Sequence, residues 1–247
     1  MAKGRKIGSI FSMENPKSIV SEAFRTLRTN IQYSNIDRSV KTIVVTSSKM
    51  GEGKSTVSAN LAYSIAESGK SVLIIDCDLR KPVIHKIYRI SNLSGLTNVI
   101  IGESKLSDEI KIVNGRDNLH ILTSGPIPPN PAEILGSNRM KDLLEFVKES
   151  YDTIILDSPP IGLVTDSAIL STIADGTILV LDAGETEVDL AVHAKELLEQ
   201  VNAKILGVVL NKIPTKGNKY YNYSYYQYDQ YYGEDEVENS KKRKRKW

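Results

Sequence analysis

The sequence predicts an α/β fold, a mostly parallel sheet with helices on both faces, followed by a disordered C-terminal tail. Three observations carry this. Apolar, β-branched runs recur at residues 43–45, 71–75, 151–156, 177–181 and 205–210, and most of the segments between them show helical apolar spacing. The runs at 43–45, 71–75, 151–156 and 205–210 end in small, acidic or amide residues, so polar chemistry gathers at one end of the strands. From Tyr220 onward neither period is present.

Composition bounds the class. The chain has 247 residues, 40% hydrophobic and 25% charged, enough for one large α/β domain and short for two. Its net charge of +2 says little about partners, although the charges are unevenly placed at the two ends. No apolar run approaches the roughly 18 residues that span a bilayer, and the start MAKGRKIGS has no apolar leader core. A cytoplasmic protein is expected. The one cysteine, Cys77, excludes an internal disulfide and fits a reducing compartment, and His85, His120 and His193 have no zinc-like spacing.

Residues 1–16 are polar and basic (Lys3, Arg5, Lys6), end at Pro16 and read as an arm. Over residues 17–35 the spacing of Ile19, Ala23, Phe24, Leu27 and Ile31 predicts an amphipathic helix. Glu22, Arg25 and Arg28 recur in steps of three on one broad face, where they can pair with a neighbouring helix or subunit, or stay solvated. Residues 43–56, IVVTSSKMGEGKST, then read as a strand, a tight loop and a helix start. Gly51 and Gly53 let backbone N–H groups turn inward around anionic oxygens, the helix N-terminus adds its dipole, and Lys54 is available for outer phosphates. Ser55 can place its hydroxyl on Mg²⁺. The pattern G-x-x-x-x-G-K-[ST] is incomplete by one residue, since Ser48 stands where its first glycine would be. A dinucleotide loop is excluded, because Thr56 stands where its third glycine belongs.

The strand at 71–75 delivers Asp76 and Asp78, two carboxylates spaced by two that point the same way. That geometry suits a hydrated divalent cation or a general base beside it; a solvated turn is the alternative. Residues 81–119 show short mixed elements without a clear assignment, residues 120–122 read as a strand, and the proline-rich loop 123–131 leads into a helix reaching about Ser150. The strand at 151–156 ends in Asp157-Ser-Pro-Pro160, the form of a Walker B acid that holds Mg²⁺, with a turn aspartate as the alternative. Asp166 senses a terminal phosphate or caps a helix. A helix over 187–201 separates the last two strands, and Asn211 either meets a nucleotide base through its amide or closes a turn. Parallel strands present their C-terminal ends along one edge, so Ser47, Asp76, Asp157 and Asn211 are expected there.

The tail begins YYNYSYYQYDQYY. Eight of the chain's 12 tyrosines, Tyr220, Tyr221, Tyr223, Tyr225, Tyr226, Tyr228, Tyr231 and Tyr232, lie here without interleaved aliphatics, which predicts an exposed, disordered segment. At about 3.3 Å per extended residue the link from Asn211 reaches roughly 30 Å to Tyr220 and about 70 Å to Tyr232, enough to enter a neighbouring subunit's site. A phenolic hydroxyl beside an ATP γ-phosphate, Mg²⁺ and a carboxylate base is a phosphorylation arrangement. Nucleic-acid stacking is disfavoured, because Glu234, Asp235, Glu236 and Glu238 separate the aromatics from the basic residues 241–246. That basic end suits anionic lipid or aids solubility.

Together these residues resemble the bacterial tyrosine kinases of capsule and exopolysaccharide synthesis. The likeness covers nearly the whole chain and rests on six pieces in order: the Glu22-x-x-Arg25-x-x-Arg28 helix, the Walker A loop from Gly51 to Thr56, the Asp76-x-Asp78-x-Arg80 segment, the proline loop from Ser124 to Ala132, Asp157-Ser-Pro-Pro160 and the tyrosine tail. The resemblance implies a P-loop NTPase-type kinase domain over 17–213, between the arm 1–16 and the tail 214–247. It also implies ATP and Mg²⁺, autophosphorylation of the tail tyrosines in trans, ring-like homo-oligomers contacting through Glu22, Arg25 and Arg28, activation by a membrane-embedded chain-length regulator that holds the kinase at the membrane, and a cognate tyrosine phosphatase. By the same carry-over Lys54, Asp76, Asp78 and Asp157 are catalytic, with Asp76 taking the tyrosine proton; Ser55, Asp78 and Asp157 hold Mg²⁺. The nucleotide set is Lys49, Gly51, Glu52, Gly53, Lys54, Ser55, Thr56, Arg80 and Asn211. Lys49 departs from this pattern: it stands where related partition and septum-site ATPases carry a signature lysine, which raises the alternative of a nucleotide-switched dimeric ATPase acting as a positioning or assembly factor.

Overall fold

Residues 10–34 and 40–213 are described by a computed structural model. The tyrosines of 220–232, the basic residues Lys3, Arg5 and Lys6 and the charged end of the chain lie outside the described residues. In chain order the elements are α1 (Phe11–Glu14), α2 (Ile19–Tyr33), β1 (Thr42–Ser47), α3 (Lys54–Glu67), β2 (Val72–Asp76), α4 (Ile84–Tyr88), α5 (Leu96–Ile101), α6 (Leu106–Glu109), β3 (Ile110–Val113), β4 (Arg116–Leu122), α7 (Pro131–Gly136), α8 (Asn138–Ser150), β5 (Thr153–Asp157), α9 (Asp166–Ser171), β6 (Gly176–Asp182), α10 (Val188–Gln200) and β7 (Ile205–Asn211).

The strands form one seven-stranded sheet in the order β3-β4-β2-β5-β1-β6-β7. All neighbours are parallel except the edge hairpin of β3 and β4. Helices cover both faces, which is why the central strands read as unbroken apolar runs. Alternation still sorts their side chains. Ile43, Val45, Ile74, Ile155 and Ile178 pack with Phe24, Leu61 and Ile84 from α2, α3 and α4. Val44, Leu73, Ile75, Ile154 and Leu156 face the other way, toward Leu96, Leu135, Leu144 and Leu170 from α5, α7, α8 and α9. Helix α10 joins that second layer by setting Ala194 and Leu198 on Leu179 and Leu181.

Three local features differ from the sequence reading or sharpen it. Residues at the end of the expected arm are structured: Ile10 and Ser12 are buried, and the Phe11 amide donates to Asn60 Oδ1 at 2.7 Å, so α1 seats on α3. The helix expected to run to Ser150 is two helices. It breaks at Ser137, whose hydroxyl accepts the Met140 amide at 3.2 Å and caps α8. Residues 81–119, without assignment from sequence, resolve into α4, α5, α6, β3 and the first residues of β4, all too short for a period to be read.

Strand β1 is anchored where it enters the sheet. Asp175 accepts the Lys41 amide (3.0 Å), the Thr42 amide (2.7 Å) and the Thr42 hydroxyl (2.7 Å). Burial alone would raise this carboxyl, but those donors stabilise its charged form and hold it below the ordinary value. A depressed folded pKa gives stability that is present above the unfolded value near 3.9 and lost as pH falls through the folded one. Asp175→Asn is therefore expected to cost about 1.5 kcal/mol in urea titrations at pH 7, and the cost should shrink as both proteins are taken below about pH 4.

Candidate active site

Strand β1 ends at Ser47, and the chain turns over residues 48–53 before α3 starts at Lys54. Gly53 sits at the helix N-cap with φ +92°, a left-handed conformation glycine adopts without strain, and no side chain caps the helix. The first N–H groups of α3 are thus left for an anion. A Cβ on Gly53 would also meet Asn211 Nδ2 at 2.2 Å, so that position admits no larger residue without displacing the amide.

The strand order makes the acidic centre. Because β2 lies beside β5, Asp76 and Asp157 are register partners at the ends of adjacent parallel strands, with backbones roughly 4.8 Å apart. Lys54 reaches into this corner: its Nζ lies 2.8 Å from Asp78 Oδ2, 3.7 Å from Asp157 Oδ2 and 3.2 Å from the Ser55 hydroxyl. All three carboxylates are buried. Burial and the neighbouring Asp157 push Asp76 up to about 8, against the pull of Lys54 and the backbone amides of Val83 and Ile84. Burial also raises Asp157, offset by Lys54. Burial would lower Lys54, but Asp157 and Asp78 overcome it and hold the ammonium charged.

The same corner fits a hard divalent cation. Asp157 Oδ1 accepts the Ser58 hydroxyl at 3.0 Å, whereas Asp157 Oδ2 is fully buried without a hydrogen-bond partner. With the Lys54 ammonium beside it at 3.7 Å, this oxygen is one that a water or a cation can complete. Among the described residues no three carboxylate, imidazole or thiolate groups form a closed cage. Mg²⁺ takes one or two protein oxygens and fills its shell with water and substrate phosphate.

The other predicted residues take varied positions. Gly51 is exposed, Thr56 is half-buried, and the Thr56 carbonyl accepts Asn60 Nδ2 at 2.9 Å. Glu52 is buried beneath the loop, where its carboxylate accepts the Ser48 hydroxyl, the Lys49 amide and the Thr186 hydroxyl. Lys49 Nζ donates to the Glu185 carbonyl. Arg80 makes a two-pronged pair with fully buried Asp166 at 2.9 and 3.0 Å, so Asp166 opens α9 as the partner of an arginine. Asn211 donates its amide to the Glu52 carbonyl at 2.8 Å. Arg25 holds Glu22 (3.1 Å), Glu67 (3.4 Å) and the Pro16 carbonyl, and Arg28 donates to the Ser64 carbonyl at 2.6 Å. Sequence reasoning missed Ser58, Asp182, Thr186 and Lys212. Lys212 Nζ donates to the Gly51 carbonyl at 2.6 Å and to Asp182 at 2.7 Å, a contact across 161 residues that no local motif signals.

Comparison with known proteins follows this geometry. Residues 40–206 match a family model described as an AAA domain. The chain is 45% identical to the tyrosine-protein kinase YwqD of Bacillus subtilis, over 88% of this chain and 91% of that one. Among solved structures it resembles the chimerical protein CapA2B2 (39% identity, TM-score 0.80, 84% of this chain and 94% of that one). It also resembles the kinase domain of the Escherichia coli tyrosine kinase ETK (31%, 0.81, 88% and 85%). The septum site-determining protein MinD of Pyrococcus horikoshii, solved with Mg-ADP, is more distant (26%, 0.60, 72% and 72%).

The Arg80 pair yields a prediction. Removing a partner from a buried carboxylate leaves an uncompensated charge; because the Arg80 side chain is 40% exposed, water softens the penalty. Arg80→Ala is expected to cost about 2 kcal/mol in urea melts, and Arg80→Ala with Asp166→Ala should recover part of that loss.

Proposed function

The chain belongs to the bacterial tyrosine-protein kinases, and from that premise we propose that it transfers the γ-phosphoryl group of ATP to tyrosines of its own C-terminal segment, between copies of the chain. One observation carries the reading: Lys54, Asp76, Asp78 and Asp157 converge beside the phosphate loop on the sheet edge where β7 also ends, so the described domain ends next to the chemistry.

In this reading the loop amides and the α3 N-terminus cradle the β and γ phosphates, and Lys54 turns its ammonium onto their outer oxygens. A tail phenol attacks the γ-phosphorus in line; the new bond is tyrosine O–P, the bond broken joins that phosphorus to the β–γ bridging oxygen, and ADP leaves. Asp76 takes the phenolic proton from its place beside Asp157 at the ends of adjacent strands. Ser55, Asp78 and Asp157 would hold Mg²⁺, which supplies charge neutralisation for the phosphates.

Acceptors are Tyr220, Tyr221, Tyr223, Tyr225, Tyr226, Tyr228, Tyr231 and Tyr232. Phosphorylation here regulates capsule or exopolysaccharide synthesis, and a tyrosine phosphatase reverses it. The Glu22, Arg25 and Arg28 face joins copies into a ring, and a membrane-embedded regulator activates the kinase and holds it at the membrane. One point supports the attachment to a partner: CapA2B2, which this chain resembles, is by its name a chimerical protein.

Incubating the purified chain with Mg-ATP should place phosphate on tyrosines 220–232 by mass spectrometry, and Lys54→Met should abolish it. ATP hydrolysis without protein-bound phosphate would instead favour a nucleotide switch. For assembly, Glu22→Ala with Arg25→Ala should shrink the particle in light scattering and slow autophosphorylation, whereas an unchanged size would refute that interface.

A further inference from the structure

A phosphate loop works only if its peptide units are turned so that N–H groups face the anion and carbonyls face away. In a trans peptide the two are antiparallel, so whatever holds a carbonyl also aims the amide of the next residue. Two successive carbonyls of this loop are held from outside, and both holders come from the end of the last strand. Lys212 Nζ donates to the Gly51 carbonyl at 2.6 Å, and Asn211 Nδ2 donates to the Glu52 carbonyl at 2.8 Å. The amides this orients are those of Glu52 and Gly53.

Lys212 is itself over-determined. It sits at φ +54°, a left-handed conformation that lysine adopts only under constraint. Its own amide donates to Asn211 Oδ1 at 2.9 Å, and its ammonium pairs with Asp182 at 2.7 Å. Asp182 closes the circuit below, because its amide and the Thr186 hydroxyl both donate to the buried Glu52 carboxylate, the amide at 3.4 Å. The loop is clamped between a side chain pointing down from Glu52 and an ammonium reaching across from Lys212.

We propose that Lys212 and Glu52 are positioning residues of the phosphate loop: Lys212 holds the Gly51 carbonyl outward and thereby sets the Glu52 amide toward the nucleotide, while the Glu52 carboxylate anchors the loop by accepting the Ser48 hydroxyl, the Lys49 amide and the Thr186 hydroxyl. The inference rests on the reading that this loop binds ATP, and it adds two residues that make no contact with the phosphates through their side chains.

Lys212 is half-exposed, so Lys212→Met should leave the fold intact. Calorimetry with Mg-ADP, which needs no phosphoryl transfer, is expected to show affinity about fivefold weaker in Lys212→Met and within about twofold of wild type in Lys212→Arg, which keeps the donor. Amide exchange of residues 51–53 should quicken in Lys212→Met. Asp182→Asn makes the site more positive, and simple charge attraction predicts tighter ADP; loosening of the clamp predicts weaker binding. Unchanged ADP affinity in Lys212→Met, or tighter binding by Asp182→Asn, overturns the inference while leaving the kinase reading in place. A wild-type chain that fails to bind Mg-ADP overturns both.

Discussion

The structure depends on one electrostatic arrangement: three buried carboxylates gathered around a single buried ammonium. Asp76, Asp78 and Asp157 could not share this corner alone, since each would desolvate its charge beside two others of the same sign. Lys54 makes the grouping tolerable, at 2.8 Å from Asp78 and 3.7 Å from Asp157. Burial first, and the neighbouring carboxylates after it, raise Asp76 and Asp157 above the ordinary value. A site with more negative charge than it can satisfy is ready for a divalent cation, and Asp157 Oδ2 is its least satisfied atom. Stability and chemistry meet in the same four side chains.

Around this corner the fold acts as a set of struts. The sheet supplies parallel strand ends, the loop between β1 and α3 supplies amides, and neighbouring loops tie that loop down. Glu52 secures it from beneath, Lys212 and Asn211 secure it from the side, and Gly162 approaches so closely that a Cβ there would lie 2.5 Å from the Ser48 carbonyl. Rigid support of this kind lets a loop present amides to an anion without reorganising as the chemistry proceeds.

Much of this was legible in the sequence where the signal is local. The loop from Gly51 to Thr56, the acid pair Asp76 and Asp78 and the acid Asp157 are short patterns adjoining strong apolar runs, and the strand ends place them on one edge. What could not be read there are partners far apart in the chain. Glu52 accepts from Thr186 and Arg80 pairs with Asp166, partners that are invisible from their own neighbourhoods in the sequence. The Arg25 and Arg28 face, read from sequence as able to pair with a neighbouring helix or subunit, meets Glu67 and the Ser64 carbonyl of α3.

The sequence alone determined the fold class, the order of the main parallel strands and the kind of chemistry, because hydrophobic period, glycine placement and acid spacing act over a few residues. Tertiary structure alone decided that β2 lies beside β5 and not β1, which side chains are spent on holding the loop, and that Lys212 belongs to it. Those outcomes depend on which strands pair and which loops touch, a competition among many burial energies across the whole chain that no short stretch encodes.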